Sequence, residues 1–178
     1  MKKKKTDLKI PGIILRYLLL IIVALPNLWI FYAIFTPLTI YPVYFISKIF
    51  FNLTLSGTTL FINGVVPIQL IEACIAGAAY YLLFILNITT PNIKLGKRIQ
   101  MILLSFLAFL VLNIIRIVSL IFVFVGGYSF FDIAHEIFWY ALSTIFVLLI
   151  WFIGVKIYKV KEIPVYSDIK YLVKNIKK

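Results

Sequence analysis

Four long apolar runs, separated by short breaks rich in proline, glycine or charge, set the pattern of the chain. They extend from about Ile13 to Phe35, Ile68 to Ile88, Ile99 to Val125 and Asp132 to Val155. At ~1.5 Å per residue each reaches roughly across ~30 Å of hydrocarbon, and the third has length to spare for tilt. The pattern predicts an all-α polytopic transmembrane bundle of about four main spans. The first run is entered through Lys2 to Lys5 and Lys9, and Pro26 is expected to kink it because proline removes an intrahelical hydrogen bond. Such a start also resembles a secretory signal, but no small-residue cleavage site follows, so a retained helix is expected.

Between the first two runs, residues 36–67 are the least regular part, with Pro37, Pro42, Gly57 and Gly64 among aromatic and polar residues. Tyr41, Tyr44, Phe45, Lys48, Ile49 and Asn52 suit an amphipathic helix at the outer interface, a fifth and shorter element. Beyond Lys156 the chain turns basic, and Ile169, Leu172, Val173 and Ile176 keep a helical spacing suited to the inner membrane surface. The expected organisation is a catalytic bundle over 1–160 and a basic cytoplasmic tail over 161–178, without repeats or a second domain.

Composition agrees with a lipid setting. Hydrophobic residues make up 63% and charged ones 13%, with mean hydropathy +1.09, whereas soluble domains hold roughly 45–50% apolar residues. The net charge of +12 does not indicate nucleic acid, because the basic residues gather at the ends of apolar runs and form no single face. All 18 Lys and Arg residues except Lys48 and Arg116 fall in the N-terminal segment, counted through Arg16 in the first turn of the first run, the break after the second run or the C-terminal tail. The positive-inside rule puts those three parts in the cytoplasm. A multi-pass plasma-membrane protein results, with both termini inside. Glu72, Asp132 and Glu136 then fall on the outer side.

That topology brings three reactive groups to one level. Cys74, Arg116 and His135 come from successive spans, and counting from the outer helix ends their depths differ by less than ~10 Å at ~1.5 Å per residue. A buried arginine costs about 2.5–3.5 kcal/mol at mid-bilayer, so it faces a cavity or partner unless it snorkels to the interface. Asn113, one turn before Arg116, puts a second polar group on the same face. A lone cysteine in an apolar helix is usually small packing. It becomes a nucleophile only as thiolate, which an apolar setting disfavours unless a cation stands near, and Arg116 and protonated His135 are the cations at that depth. A unit charge at 4 Å is worth about 4 kcal/mol at an effective dielectric of 20. His135, otherwise an interfacial side chain at a helix start, supplies the base for acyl transfer.

Asp132, three residues before His135, is a candidate N-cap that shares its face. Glu72 is a structural alternative partner for Arg116. With one cysteine and one histidine no metal set assembles, and no phosphate-binding loop is present, so no cofactor is expected. Asn52-Leu53-Thr54 fits an outer-side glycosylation acceptor.

The ordered set Cys74, Asn113-Ile114-Ile115-Arg116 and His135, within IEACIAGAAYY and NIIRIVSLIFVFVGGYSFFDIAHE, resembles the exosortase and archaeosortase family over roughly residues 65 to 150. The chain is short for that family and closer to its compact archaeal members. Gly77 departs from the commonest pattern after the cysteine. The resemblance implies an intramembrane cysteine protease and transpeptidase, a hydrolase with Cys74, Arg116 and His135 as catalytic trio. Its substrates would be membrane-anchored proteins with C-terminal sorting signals: a short motif, a transmembrane helix and a basic tail. The acceptor would be an amine, with a lipid as one candidate carrier. The alternative from another class is a small membrane substrate-binding or transport subunit, in which Arg116 and Glu72 grip a polar ligand.

Overall fold

The computed structural model of the protein describes residues 10–25, 27–129, 131–137 and 143–176, without the side chains of 132, 134 and 174–176. The N-terminal lysine cluster and Pro26 lie outside the described residues. Eight helices and three strands are described: α1 Ile10–Ala24, α2 Trp29–Lys48, β1 Leu53–Ser56, β2 Thr59–Ile62, β3 Val66–Gln69, α3 Glu72–Ile75, α4 Gly77–Thr89, α5 Leu95–Val125, α6 Phe131–Ile137, α7 Ser143–Ile157 and α8 Tyr166–Ile176.

Three stretches are long and apolar enough to cross a membrane: Trp29–Lys48, Glu72–Thr89 and Leu95–Val125, with Ile10–Ala24 and Ser143–Ile157 shorter but apolar. The expected single run from Ile13 to Phe35 is therefore two helices. Its break lies at Asn27 and Leu28, whose φ of 49° and 58° put both in the left-handed region that ends a helix. The expected interfacial helix is also corrected. Tyr41, Tyr44, Phe45 and Lys48 form the last turns of α2, whose inward residues Phe35, Thr39, Ile40, Val43 and Ser47 are buried.

After α2 comes an antiparallel sheet of order β1-β2-β3, which corrects the all-α expectation. Gly57, with φ +60°, opens the two-residue loop between β1 and β2. Asn63 and Gly64, both at positive φ, turn β2 into β3. Leu53, Leu60 and Ile62 are buried beneath it. The fourth apolar run is described as α6 and α7, with residues 138–142 outside the described set.

The bundle closes on aromatic residues from α2, α4 and α5. Phe35 stacks on Tyr80, with ring centroids 3.5 Å apart, and Phe106 and Phe109 meet Tyr80 edge-on. Such pairs add about 0.5–1.5 kcal/mol each beyond area burial. Outward-facing residues such as Leu103, Leu107, Val111 and Ile115 on α5 are equally apolar, so the same helix presents hydrocarbon to its surroundings as well as to its core.

The two ends differ in chemistry. At the α4–α5 turn, Arg98 donates to the carbonyls of Ile88 and Thr90 at 2.9 and 2.8 Å, supplying donors that the end of a helix lacks. Arg16 of α1 reaches the Ile88 carbonyl and pairs with buried Asp168 of α8 at 2.8 Å. Asn92 donates to Glu162 nearby. Among the described residues, Arg16 of α1, Arg98 of the α4–α5 turn and Asp168 of α8 thus meet at one end. The sheet and α6 lie at the other, where Phe50 and Phe51 contact Phe122 and Phe131 contacts Phe124. The 31 residues of α5 separate these ends by about 46 Å at 1.5 Å per residue.

Candidate functional site

At the sheet end, β3 runs through Leu70 and Ile71 into α3, a single helical turn. Cys74 is its third residue, and its N–H donates to the Ile71 carbonyl at 2.8 Å. Ala76, at φ +60° and ψ 42°, ends the turn, and α4 restarts at Gly77. A left-handed alanine is disfavoured, so the surroundings must hold it there. Gly77 shows one constraint: a Cβ at that position would come within 2.7 Å of the Tyr32 ring. One turn carries little of a long helix's dipole, so the field at Cys74 comes chiefly from side chains.

Interrupting the helix strands the Cys74 carbonyl. Ala76 N–H donates to Glu72, while the Ala79 and Tyr80 N–H groups both donate to Ala76. Asn113 of α5 supplies the missing donor, its Nδ2 lying 2.9 Å from the Cys74 carbonyl oxygen. The sequence placed Asn113 on the face of Arg116, and here it holds the backbone of the cysteine.

Arg116, only 6% exposed, donates from Nη1 to Ser143 Oγ at 2.6 Å and from Nη2 to the Ala73 carbonyl at 3.4 Å. Both contacts fix the guanidinium beside the Cys74 turn, within electrostatic reach of the thiol. Ser143 was not singled out from the sequence. The signal for it was a small hydroxyl residue in an otherwise apolar and aromatic stretch. Snorkelling does not describe Arg116, which is held inside the bundle.

His135 projects from α6 with its ring stacked on Phe131 at 5.8 Å. It meets Cys74 and Arg116 in a cavity of about 160 Å³, whose walls come from β3 and the residues after it, α5 and α6. The three groups expected at one depth therefore line one cavity. Asp132 lies in the first turn of α6, which begins one residue earlier at Phe131; its side chain falls outside the described residues.

Glu72 does not join this group. It lines a second cavity of about 240 Å³, with Tyr32, Ala76, Ser143 and Thr144. Ser143 and Ala73, which both accept from Arg116, line this second cavity. Among the described residues no cluster of three His, Cys, Asp or Glu side chains could hold a metal ion.

The arrangement offers a thiol, an imidazole and an oriented guanidinium around a partly enclosed space, with apolar walls from Ile117, Leu120 and Phe124 that thin out water. Those are the parts of acyl transfer through a thioester: nucleophile, proton carrier and a cation for developing negative charge. No family model matches the sequence, and no curated protein or solved structure matches it either.

Proposed function

We propose that the chain is a multi-pass plasma-membrane cysteine transpeptidase of the exosortase and archaeosortase type. It cleaves C-terminal sorting signals from membrane-anchored proteins and passes the acyl group to an acceptor amine. The observation that carries this reading is the shared cavity lined by Cys74, Arg116 and His135. Cys74 Sγ adds to the scissile carbonyl carbon, the C–N bond breaks, and His135 delivers the thiol proton to the departing amine. Arg116 stabilises the thiolate and then the oxyanion, oriented by Ser143 and the Ala73 carbonyl. The thioester is resolved when the incoming amine nitrogen bonds to the acyl carbon and gives its proton to His135, while the C–S bond breaks and Cys74 sulfur leaves as thiolate.

The cavity end faces outward and the basic end faces the cytoplasm. Supporting this orientation, Arg16 and Arg98 sit together at the opposite end from the cavity, as the positive-inside rule requires. The grouping of Arg116 and Glu72 around one ligand is disfavoured, because the two line separate cavities.

Cys74 is the sole cysteine, which makes the test clean. A membrane-impermeant maleimide added to intact cells should label wild type and leave Cys74→Ala blank. A co-expressed reporter ending in a short motif, an apolar helix and a basic tail should be processed by wild type alone. Processing retained by Cys74→Ala would end the proposal.

A further inference from the structure

Strand β3 occupies a position that the chemistry above does not use. Of the two outer strands, β1 lies against α2, while β3 has no strand neighbour on its far side among the described residues. Bonded and non-bonded pairs alternate along an antiparallel ladder. Leu70 N–H donates to the Thr58 carbonyl at 2.9 Å, and the register pairs Leu60 with Ile68 and Ile62 with Val66. The ladder bonds therefore belong to Leu70, Ile68 and Val66. Gln69 turns both its N–H and its carbonyl away from β2, and Pro67 turns its carbonyl the same way. A proline fits there because its missing N–H would point to the open side, where the ladder does not need it.

This edge forms one wall of the cavity that holds the cysteine: Pro67, Ile68, Gln69 and Leu70 line it together with Cys74. Backbone groups left without partners in apolar surroundings are costly. An extended chain is the partner that offers a donor and an acceptor from one residue at the required spacing.

We infer that the outer edge of β3 is a docking strip for an extended peptide, which pairs with the backbone of Gln69 and so brings a carbonyl to Cys74. The strip rests on the cysteine chemistry proposed above and adds the way substrate is held. Recognition runs through main-chain bonds, so an extended conformation is required of the substrate, and sequence preference comes from side chains that enter the cavity.

The test uses the full chain in lipid nanodiscs and two alkylating reagents. Acetyl-Ala-Ala-Ala-chloromethyl ketone carries an extended backbone; iodoacetamide carries none. In each case the Cys74 sulfur forms a C–S bond, halide leaves, and the thiol proton passes to base. Gln69→Pro removes the outward N–H and should slow the peptide reagent about tenfold, the loss expected for backbone hydrogen bonding to one partner residue. Iodoacetamide, which makes no backbone contact, should be slowed far less than the peptide reagent, and Gln69→Ala, which keeps the backbone N–H, should lose far less than Gln69→Pro with the peptide reagent.

Should Gln69→Pro fail to fold, N-methylated forms of the peptide reagent on the wild-type protein still decide. Methylating the amide that faces Gln69 should slow labelling about tenfold, whereas its immediate neighbour, pointing away, tolerates the methyl group. Equal rates for all methylated forms, or a Gln69→Pro variant with wild-type kinetics, would overturn the strip while leaving the cysteine reading intact. A wild-type Cys74 inert to iodoacetamide would remove both. If Gln69→Pro instead converted a dimer to monomers, the edge would belong to a second copy of the chain and the strip would be refuted.

Discussion

Replacing Asn113 by Leu is expected to loosen the turn that carries Cys74. Asn113 is 2% exposed, and its Nδ2 is 2.9 Å from the Cys74 carbonyl. No helical N–H substitutes, because the break at Ala76 redirects the nearby donors to Glu72 and to Ala76 itself. Leaving that carbonyl buried and unsatisfied costs about 1–3 kcal/mol. Part of this is offset, since Asn113 Oδ1 is itself buried without a hydrogen-bond partner among the described residues, and leucine removes that acceptor for a gain of about 1 kcal/mol. The net loss is about 0–2 kcal/mol, up to roughly a 30-fold change in the folding equilibrium. Reversible unfolding of the purified protein in mixed micelles titrated with sodium dodecyl sulfate would register it. Reporter processing should fall well below the unfolding midpoint, because the freed carbonyl belongs to Cys74, the nucleophile proposed above. An Asn113→Leu protein with wild-type midpoint and wild-type processing would refute the claim that Asn113 holds the turn.

Arg116→Lys keeps the charge but cannot serve Ser143 and the Ala73 carbonyl together in a planar fork; reporter processing should fall about tenfold or more, and near-wild-type activity would show that charge alone suffices. Gly77→Ala should lower the unfolding midpoint by about 1–3 kcal/mol through the clash with Tyr32, and Tyr32→Leu in the same chain should restore most of it, coupling that a double-mutant cycle measures. Asp168→Ala strands Arg16 and removes an acceptor for Tyr17, at a cost of about 3–5 kcal/mol for a buried pair and less here because Arg16 is partly exposed; limited proteolysis should then cut the C-terminal tail faster, and an unchanged digestion rate would count against the clasp.

How much of this was legible in the residues divides along physical lines. The helical period of α5 and α8 was plain, and the order of Cys74, Arg116 and His135 along the chain was enough to place them near one level. The breaks were not. Ile71 to Tyr81 reads as continuous helix, because nothing in an alanine announces a positive φ; tertiary packing against Tyr32 and Asn113 imposes it. Pro26 suggested a kink, whereas Asn27 and Leu28 turn the chain outright. The sheet was missed because its strands have four residues each, too short for alternation to stand out from the neighbouring apolar runs. Asn63-Gly64 was the available hairpin signal, since both residues tolerate the left-handed region that such turns need.

The link between Arg16 and Asp168 joins positions 152 residues apart. During synthesis α8 emerges 152 residues after its partner in α1, so α1 waits in its unlatched state while the bundle between them is made. The latch therefore closes only after the helices it encloses already exist, and a disturbance close behind α8 will be felt at α1.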